Sequence, residues 1–429
     1  MKRRAMASLL AVGALAVGGI AAGCGGDDDS GSATGGGGGG DVSEVKLGVL
    51  VPLTGQLADF GGPGSTAANL AAEQVNTAGA DKGFKVTLVT EDTKTDPQAA
   101  QEAATKVIES DGVAAIAGPW ATPELIPTVE NVTVDAGIPI VTPSATGPDI
   151  TTLEDDGLVF RTPPSDAIQG QVLAQVVSDA LGEGKTVNTA SRNDSYGDAL
   201  VSEFTKAYEA LGGSVAKNVS YNPDAASLNS EAQQIVEGSP DGWVIIDYTG
   251  TWPKLGPALV RTGKWDPAKT FTGDGLRSSE LPKDAGAETT NGIRGTVPTS
   301  LDAPAGDAFD ALWNSNPDNG PRQTYDAQNF DAVILLALAS LAAGSTDGTA
   351  IAEALPAVSG PPGTKYTYEQ LPDAITALQN GEDIDYEGAS GPIDLDENGD
   401  PSAANYSTWS YTGGKLVDTG DVIGFTKED

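Results

Sequence analysis

Residues 84–117 read FKVTLVTEDTKTDPQAAQEAATKVIESDGVAAIA. The alternating β-branched residues of 84–91 predict a strand, and the apolar spacing of 97–110 predicts a helix. A second apolar run follows over 113–117 and predicts another strand. A strand, a helix and a strand in this order form the unit from which parallel sheets are built, so this stretch predicts an α/β fold.

The same alternation continues on both sides of this unit. A strand over 45–53 and an amphipathic helix over 64–78 precede it, and a helix over 123–135 and a strand over 138–141 follow it. A second series begins after residue 164, with helices predicted over 166–181, 197–211, 227–237 and 252–262 and strands over 186–190, 214–221, 243–248 and 270–272. Two α/β lobes, each a parallel sheet flanked by helices, are the simplest arrangement of two such series. An apolar helix over 331–343 and hairpins near 393 and over 406–417 come later, so returning chain must complete one lobe or both.

The N-terminus has the pattern of a secretory signal. Basic residues 1–4 precede an apolar stretch over 5–22 that ends in small residues, which predicts a signal peptide over 1–23. Residues 20–24 read IAAGC and resemble the bacterial lipobox, whose cysteine accepts diacylglycerol. Cys24 is the only cysteine in the chain, so lipidation is predicted there, with an unmodified thiol as the alternative. Residues 24–44 are rich in glycine and predict a flexible tether.

Composition excludes several classes of function. The formal net charge is −36, and loss of Lys2, Arg3 and Arg4 with the signal would make it −39, so nucleic acid is not an expected partner. The chain has no histidine and a single cysteine, which excludes Ser-His-Asp and Cys-His catalysis and the usual zinc sites. No enzyme activity, cofactor or metal is therefore expected. A secreted hydrolase with paired carboxylates remains an alternative, and so does an adhesion or sensor module. No later segment has 18 uninterrupted apolar residues, so no further membrane span is expected.

Hydroxyl-bearing loops follow two predicted strands of the first series. Residues 118–124, GPWATPE, come after the strand over 113–117, and residues 142–147, TPSATG, come after the strand over 138–141. Ligands of open α/β sheets bind beyond the carboxyl ends of strands, so the two loops together predict a cradle for a carboxylate. The structural alternative is that Thr122 caps a helix before Pro123 and that the second loop is only polar.

An acidic residue follows a strand of the second series. Asp274 stands between Gly273 and Gly275 directly after the strand over 270–272. It is either a simple turn residue or a carboxylate that faces the hydroxyl cradle and pairs with an ammonium group. The second reading predicts a pocket for a zwitterion.

Two other motifs are discounted. Residues 62–67, GPGSTA, fit the dinucleotide pattern but do not follow a strand directly. Residues 394–399, DLDENG, match the start of a calcium loop, yet Asn405 stands where the bidentate glutamate should be. A hairpin turn is therefore favoured for the second motif.

Taken in order, several short motifs resemble the leucine/isoleucine/valine-binding family of ABC-transporter solute receptors. They are GVLVPLTG at 48–55, Asp96-Pro97, Gly118, PSAT at 143–146, DSYG at 194–197, Tyr325-Asp326-Ala327 and SGPI at 390–393. The resemblance implies the two-lobe type I periplasmic-binding-protein fold with a three-crossover hinge. It implies one lobe of residues 45–162 and 298–401 and another of residues 163–297 and 402–429.

The same resemblance implies the ligand site. The ligand carboxylate would meet Thr122, Ser144 and Thr146, and Asp274 would meet the ammonium. The full set of implied ligand-binding residues is Phe60, Trp120, Ala121, Thr122, Ser144, Ala145, Thr146, Tyr196, Tyr248, Thr251, Asp274 and Tyr325. Trp120 departs from the family because smaller apolar residues occur at its position.

The family also implies the partners. The protein would be a lipid-anchored monomer outside the cytoplasmic membrane that binds a branched-chain-like amino acid and delivers it to an ABC permease. The alternative on the same fold is a receptor or sensor for an amide, a urea or an aromatic acid.

Overall fold

The computed structural model describes residues 42–299, 303 and 305–426. The predicted signal peptide, Cys24 and nearly all of the predicted tether lie outside these residues.

The first part of the chain builds a sheet of five strands, all parallel, which with its flanking helices we call the first lobe. The strands are β1 (Glu44–Val51), β2 (Lys85–Asp92), β3 (Ala115–Ala117), β4 (Ile140–Thr142) and β5 (Val159–Arg161), in the order β2-β1-β3-β4-β5. The helices between them are α1 (Ala58–Gly79), α2 (Pro97–Glu109), α3 (Thr122–Thr128) and α4 (Val134–Ala136), and a π-helical turn over Val129–Thr133 joins the last two. β1 is an interior strand, and its apolar residues are buried on both faces, as in parallel strands between two helical layers.

The middle of the chain builds a second sheet, which with its helices we call the second lobe. The strands are β6 (Thr186–Arg192), β7 (Ser214–Tyr221), β8 (Gly242–Ile246), β9 (Thr270–Thr272) and β10 (Arg294–Thr299), and adjacent members pair in parallel in the order β10-β9-β8-β6-β7. The helices are α5 (Asp166–Leu181), α6 (Gly197–Ala210), α7 (Asn229–Ile235), α8 (Trp252–Arg261), α9 (Leu281–Asp284) and α10 (Ala287–Thr290).

Returning chain then extends both lobes. Helices α11 (Gly306–Asn314), α12 (Asp326–Ala343), α13 (Gly348–Ser359) and α14 (Leu371–Gln379) join the first lobe with a small sheet of β11 (Thr364–Tyr366), β12 (Ile384–Gly388) and β13 (Gly391–Pro392). Strands β14 (Ala403–Thr412) and β15 (Lys415–Thr426) add to the second sheet beside β10, antiparallel to it and to each other. The chain therefore passes between the lobes three times, after β5, between β10 and α11, and before β14.

Helix α12 forms the core of the first lobe. Among the described residues it alone has the length and composition of a membrane-spanning helix, yet 83% of that apolar window is buried inside the protein. It packs against α1, where Asn329 Nδ2 donates a hydrogen bond of 2.8 Å to the carbonyl of Gly64. The apolar composition of α12 is therefore explained by packing.

The start of α1 and the cap of α3 differ from the predictions, and α12 begins five residues before the predicted start at 331. Helix α1 begins at Ala58, six residues before the predicted start, because Gly61 and Gly64 serve close packing inside the helix. A side chain at Gly61 would meet the carbonyl of Pro52 at 2.1 Å. Thr122 does not cap α3. It is the first helical residue, and the Glu124 carboxylate accepts from the Ala121 amide at 3.0 Å instead.

The Arg161 guanidinium links several segments of the first lobe by hydrogen bonds. Arg161 is fully buried at the end of β5, and its Nε and Nη2 donate to the two carboxylate oxygens of Asp400 at 2.6 and 2.8 Å. Its Nη1 donates to the carbonyls of Thr146 and Gly147, and Nη2 also reaches the Thr151 hydroxyl. One side chain thus fixes the loop after β4 to the returning chain at Asp400.

Replacing Arg161 with methionine should destabilise the protein by roughly 3–5 kcal/mol, because it leaves Asp400 as a buried carboxylate without its cation. Urea unfolding followed by tryptophan fluorescence measures the loss. Arg261→Met is the matched control, since Arg261 is exposed and its guanidinium donates a hydrogen bond to Asn229 at the surface. Equal unfolding midpoints for the two variants would contradict the role given to Arg161.

Candidate functional site

An enclosed cavity of about 20 Å³ lies between the two lobes. Its walls come from loops that follow β1, β3 and β4 in the first lobe and β6, β8 and β9 in the second, together with the start of α12. The lining residues are Leu57, Phe60, Trp120, Thr122, Ser144, Tyr196, Tyr248, Asp274, Gly275 and Tyr325. The cavity therefore stands where the carboxyl ends of two parallel sheets face each other, the usual ligand position in open α/β folds.

The structure brings eight of the residues implied by the sequence around this cavity. They are Phe60, Trp120, Thr122, Ser144, Tyr196, Tyr248, Asp274 and Tyr325.

The other four do not line the cavity. The amide of Ala121 donates to Glu124 and that of Ala145 to the Thr142 hydroxyl. Thr146 Oγ1 donates to Asp166 Oδ2 at 3.0 Å, and Thr251 Oγ1 donates to Gln56 Oε1 at 3.1 Å. Leu57 was missed because its contact depends on where α1 begins, which the sequence placed too late.

Asp274 is the acidic group of the cavity wall. It is 4% exposed, and its Oδ1 accepts from Gln169 Nε2 at 3.0 Å and from the Tyr196 hydroxyl at 3.2 Å. Its Oδ2 accepts from the Tyr325 hydroxyl at 2.8 Å. Burial raises the pKa of Asp274, and the three side-chain donors and its own backbone amide oppose that rise. The carboxylate also lines the cavity, so the ammonium group of a bound ligand can pair with it there.

The Tyr325 backbone is in the left-handed region. Its φ is 71°, at the residue directly before α12. A tyrosine in this region is strained by of order 1–3 kcal/mol, and such outliers concentrate at binding sites. The strain is consistent with its hydroxyl being aimed at Asp274 across the lobes.

Asp166 is a second buried carboxylate near Asp274. It is fully buried, its Oδ2 accepts from Thr146, and its Oδ1 has no hydrogen-bond partner among the described residues. Burial and, next, the negative charge of Asp274 raise the pKa of Asp166 well above its usual value. Because Asp274 has three donors and Asp166 one, we assign the proton to Asp166 and the negative charge to Asp274. Asp166 was not predictable as a site residue, since in the sequence it is an ordinary first-turn acid of a helix.

The opposite wall presents hydroxyl groups. Thr122 Oγ1 accepts from the Gly147 amide at 3.1 Å, which leaves its own proton to donate into the cavity. Gly147 allows this approach, because a Cβ there would lie 2.5 Å from Thr122 Cγ2. Ser144 lines the same wall. These hydroxyls can donate hydrogen bonds to an anionic oxygen of a ligand.

Glu124 lies behind that wall and was missed as a site component. It is fully buried, and burial raises its pKa to about 8. At neutral pH it is therefore mostly protonated and places little negative charge behind the hydroxyls. A ligand carboxylate bound there would not be repelled by it.

Aromatic rings make up the rest of the wall. Tyr196 and Tyr248 stack with their centroids 5.1 Å apart, and the guanidinium carbon of Arg192 lies 3.6 Å from the centroid of the Tyr248 ring. Trp120 is 1% exposed and rests on Gly64, where an added Cβ would lie 2.3 Å from its Cζ2. All three rings are buried.

Comparisons with known proteins agree with this architecture. A family model described as periplasmic binding protein matches residues 44–399. The leucine-, isoleucine-, valine-, threonine-, and alanine-binding protein of Pseudomonas aeruginosa is 28% identical over 314 residues, which are 72% of this chain and 82% of that protein.

Solved structures share the fold. The branched-chain amino acid transporter substrate binding protein LivJ of Streptococcus pneumoniae, in complex with isoleucine, has a TM-score of 0.72 at 21% identity and covers 90% of this chain and 100% of its own. An ABC-transporter solute binding protein of R. palustris in complex with benzoate has a TM-score of 0.67 at 22% identity and covers 90% and 98%. The predicted two-lobe type I periplasmic-binding-protein fold is thereby confirmed.

Proposed function

This chain is a solute-binding protein of the periplasmic binding protein family, and we propose that it serves an ABC importer by binding an amino acid between its lobes. One observation carries the proposal. Asp274, a buried carboxylate, lines the same small cavity as the hydroxyls of Thr122 and Ser144. An α-amino acid has an ammonium group that pairs with Asp274 and a carboxylate that accepts from the two hydroxyls.

The size of the cavity supports closure around a ligand. A space of about 20 Å³ holds one or two water molecules, so an amino acid enters only when the walls move apart. The walls belong to two lobes joined by three connections, and hinge motion between such lobes is a common way to enclose a ligand. We propose that the first and second lobes close on the ligand in this way. Their predicted bounds are residues 45–162 and 298–401 for the first and 163–297 and 402–429 for the second, and β10 extends the second lobe to Thr299.

An aromatic acid is the second candidate ligand. The benzoate complex of a protein with the same fold and the aromatic residues of this cavity both favour it. An aromatic acid has a carboxylate but no ammonium, so it would leave Asp274 facing an apolar ring without a cation. Burying a charge without a partner is costly, and we therefore favour the amino acid.

The proposed location follows from the family and the N-terminal sequence. Proteins of this family act outside the cytoplasm. We propose that Cys24 carries a lipid at the membrane surface and that the glycine-rich tether over 24–44 gives the lobes reach toward the permease.

Replacing Asp274 with asparagine should weaken amino-acid binding about 30-fold or more, because truncating one partner of a buried charge pair costs roughly 2–5 kcal/mol. Calorimetry against the amino acids, their amides and their deaminated acids measures the effect. Asp331→Asn is the matched control, because Asp331 is equally buried but bonds to Tyr386 and Ser390 away from the cavity. Deaminated acids that bind as well as amino acids would shift the proposal to the aromatic-acid class.

Replacing Gly64 with alanine should push the Trp120 ring toward the cavity and weaken binding, and overpacking should also lower the free energy of unfolding by roughly 1–3 kcal/mol. Gly62→Ala is the control on the same helix, since a Cβ there has nothing within 4 Å. The pair is compared by calorimetry with the best-binding amino acid. Equal affinities in the two variants would show that Trp120 does not limit the cavity.

Replacing Cys24 with alanine should abolish metabolic labelling with a fatty-acid analogue, because no other cysteine exists in the chain. Immunoblotting of the same cells confirms that the variant is still produced. Labelling that persists in the variant would refute the lipid anchor.

A further inference from the structure

Gln56 lies between β1 and α1 and makes a dense set of bonds to the opposite lobe. Its backbone carbonyl accepts from the Gly250 amide at 2.9 Å and from the Thr249 hydroxyl at 3.3 Å. Both donors belong to the loop after β8 in the second lobe. The backbones of the two lobes therefore touch at this point.

The Gln56 side chain continues across the same gap. Its Oε1 accepts from Arg192 Nη1 at 2.7 Å and from the Thr251 hydroxyl at 3.1 Å, and its Nε2 donates to Asp224 Oδ1 at 2.9 Å. All three partners belong to the second lobe. Every one of these bonds must break if the lobes separate here.

Arg192 connects this contact to the cavity wall. The guanidinium is 3% exposed, its Nε donates to Asp194, and it lies against the Tyr248 ring whose other neighbour is Tyr196. Both tyrosines line the cavity, while Gln56 does not. Arg192 thus supports the Tyr248 ring, and the hydrogen bond to Gln56 helps to fix the position of Arg192.

We propose that Gln56 is a positioning residue that latches the two lobes together and slows the release of ligand from the cleft. This rests on the proposed function only in requiring that some ligand binds between the lobes. Another contact across the gap, from Ser278 Oγ to Asp59 Oδ2 at 2.7 Å, is a single bond. Gln56 forms both side-chain and backbone hydrogen bonds across the gap, and through Arg192 it also acts on Tyr248 of the cavity wall.

Gly250 offers a test from the opposite lobe. A Cβ on Gly250 would lie 2.6 Å from Gln56 Cα, so only glycine lets the two backbones come this close. Gly250 is exposed, and the three atoms nearest to an added Cβ all belong to Gln56. A Gly250→Ala variant should therefore fold normally within each lobe. Two substitutions in different lobes, Gln56→Ala and Gly250→Ala, should therefore produce the same defect.

The experiment uses the full-length protein in detergent. Stopped-flow fluorescence measures association and dissociation of the twenty amino acids and of benzoate, and hydrogen exchange measures protection of the amides in residues 249–252. Gln98→Ala is the control, because Gln98 bonds to Glu102 on the exposed face of α2. Both latch variants lose a charge-assisted hydrogen bond or its neighbours. We therefore expect ligand to dissociate from them about 10- to 100-fold faster, with association rates and the ranking of ligands unchanged. The Gly250 segment should also exchange faster in Gln56→Ala.

The outcomes separate the two proposals. If the wild type binds benzoate and no amino acid, the amino-acid function is wrong, and the dissociation rates still decide the latch. If the wild type binds none of the probes, exchange in residues 249–252 decides the latch alone. Dissociation and exchange that stay at the wild-type and Gln98→Ala values in both variants would overturn it.

Discussion

The buried carboxylate of Asp274 is the constraint around which the site is organised. A carboxylate that is 4% exposed must receive hydrogen bonds from the protein. Its donors are Gln169 on α5, Tyr196 before α6 and Tyr325 before α12. The first two belong to the second lobe, and the third belongs to the first. Satisfying one carboxylate therefore fixes the cavity wall and ties the lobes together at the same point.

The buried charges near the cavity are arranged to leave one negative group for the ligand. Asp166 and Glu124 both have raised pKa values, chiefly because they are buried, and so tend to keep their protons. The buried guanidiniums of Arg161 and Arg192 pair with Asp400 and Asp194. Among the described residues that line the cavity, Asp274 is the acidic one, and its side-chain donors are neutral. A site of this kind favours a ligand with one cationic group, which is consistent with an amino acid.

The fold was largely predictable from the sequence, because alternating strands and helices with strong apolar patterns depend on local residues. Helix 166–181 and strand 214–221 have the predicted bounds. The start of α1 was not predictable from local pattern, since the glycines at 61 and 64 look like a loop until the carbonyl of Pro52 and the Trp120 ring are placed against them. The cavity residues after each strand were predictable because parallel strands bring their carboxyl ends together. Asp166, Glu124 and Gln56 were not, because their roles depend on burial and on partners distant in sequence.

The latch and the carboxylate lie on two sides of the same aromatic pair. Asp274 accepts from the Tyr196 hydroxyl, and Arg192, held by Gln56, lies against Tyr248, which stacks on Tyr196. A ligand between the lobes would meet both tyrosines while it pairs with Asp274. Closing the lobes exchanges hydrogen bonds with water for bonds within the protein, so the bonds of Gln56 alone give only a modest net gain. Ligand contacts add to that gain in the closed form only, and the equilibrium shifts by as much as the ligand prefers this form. The latch can therefore be weak enough to let the cleft open and still prolong the bound state.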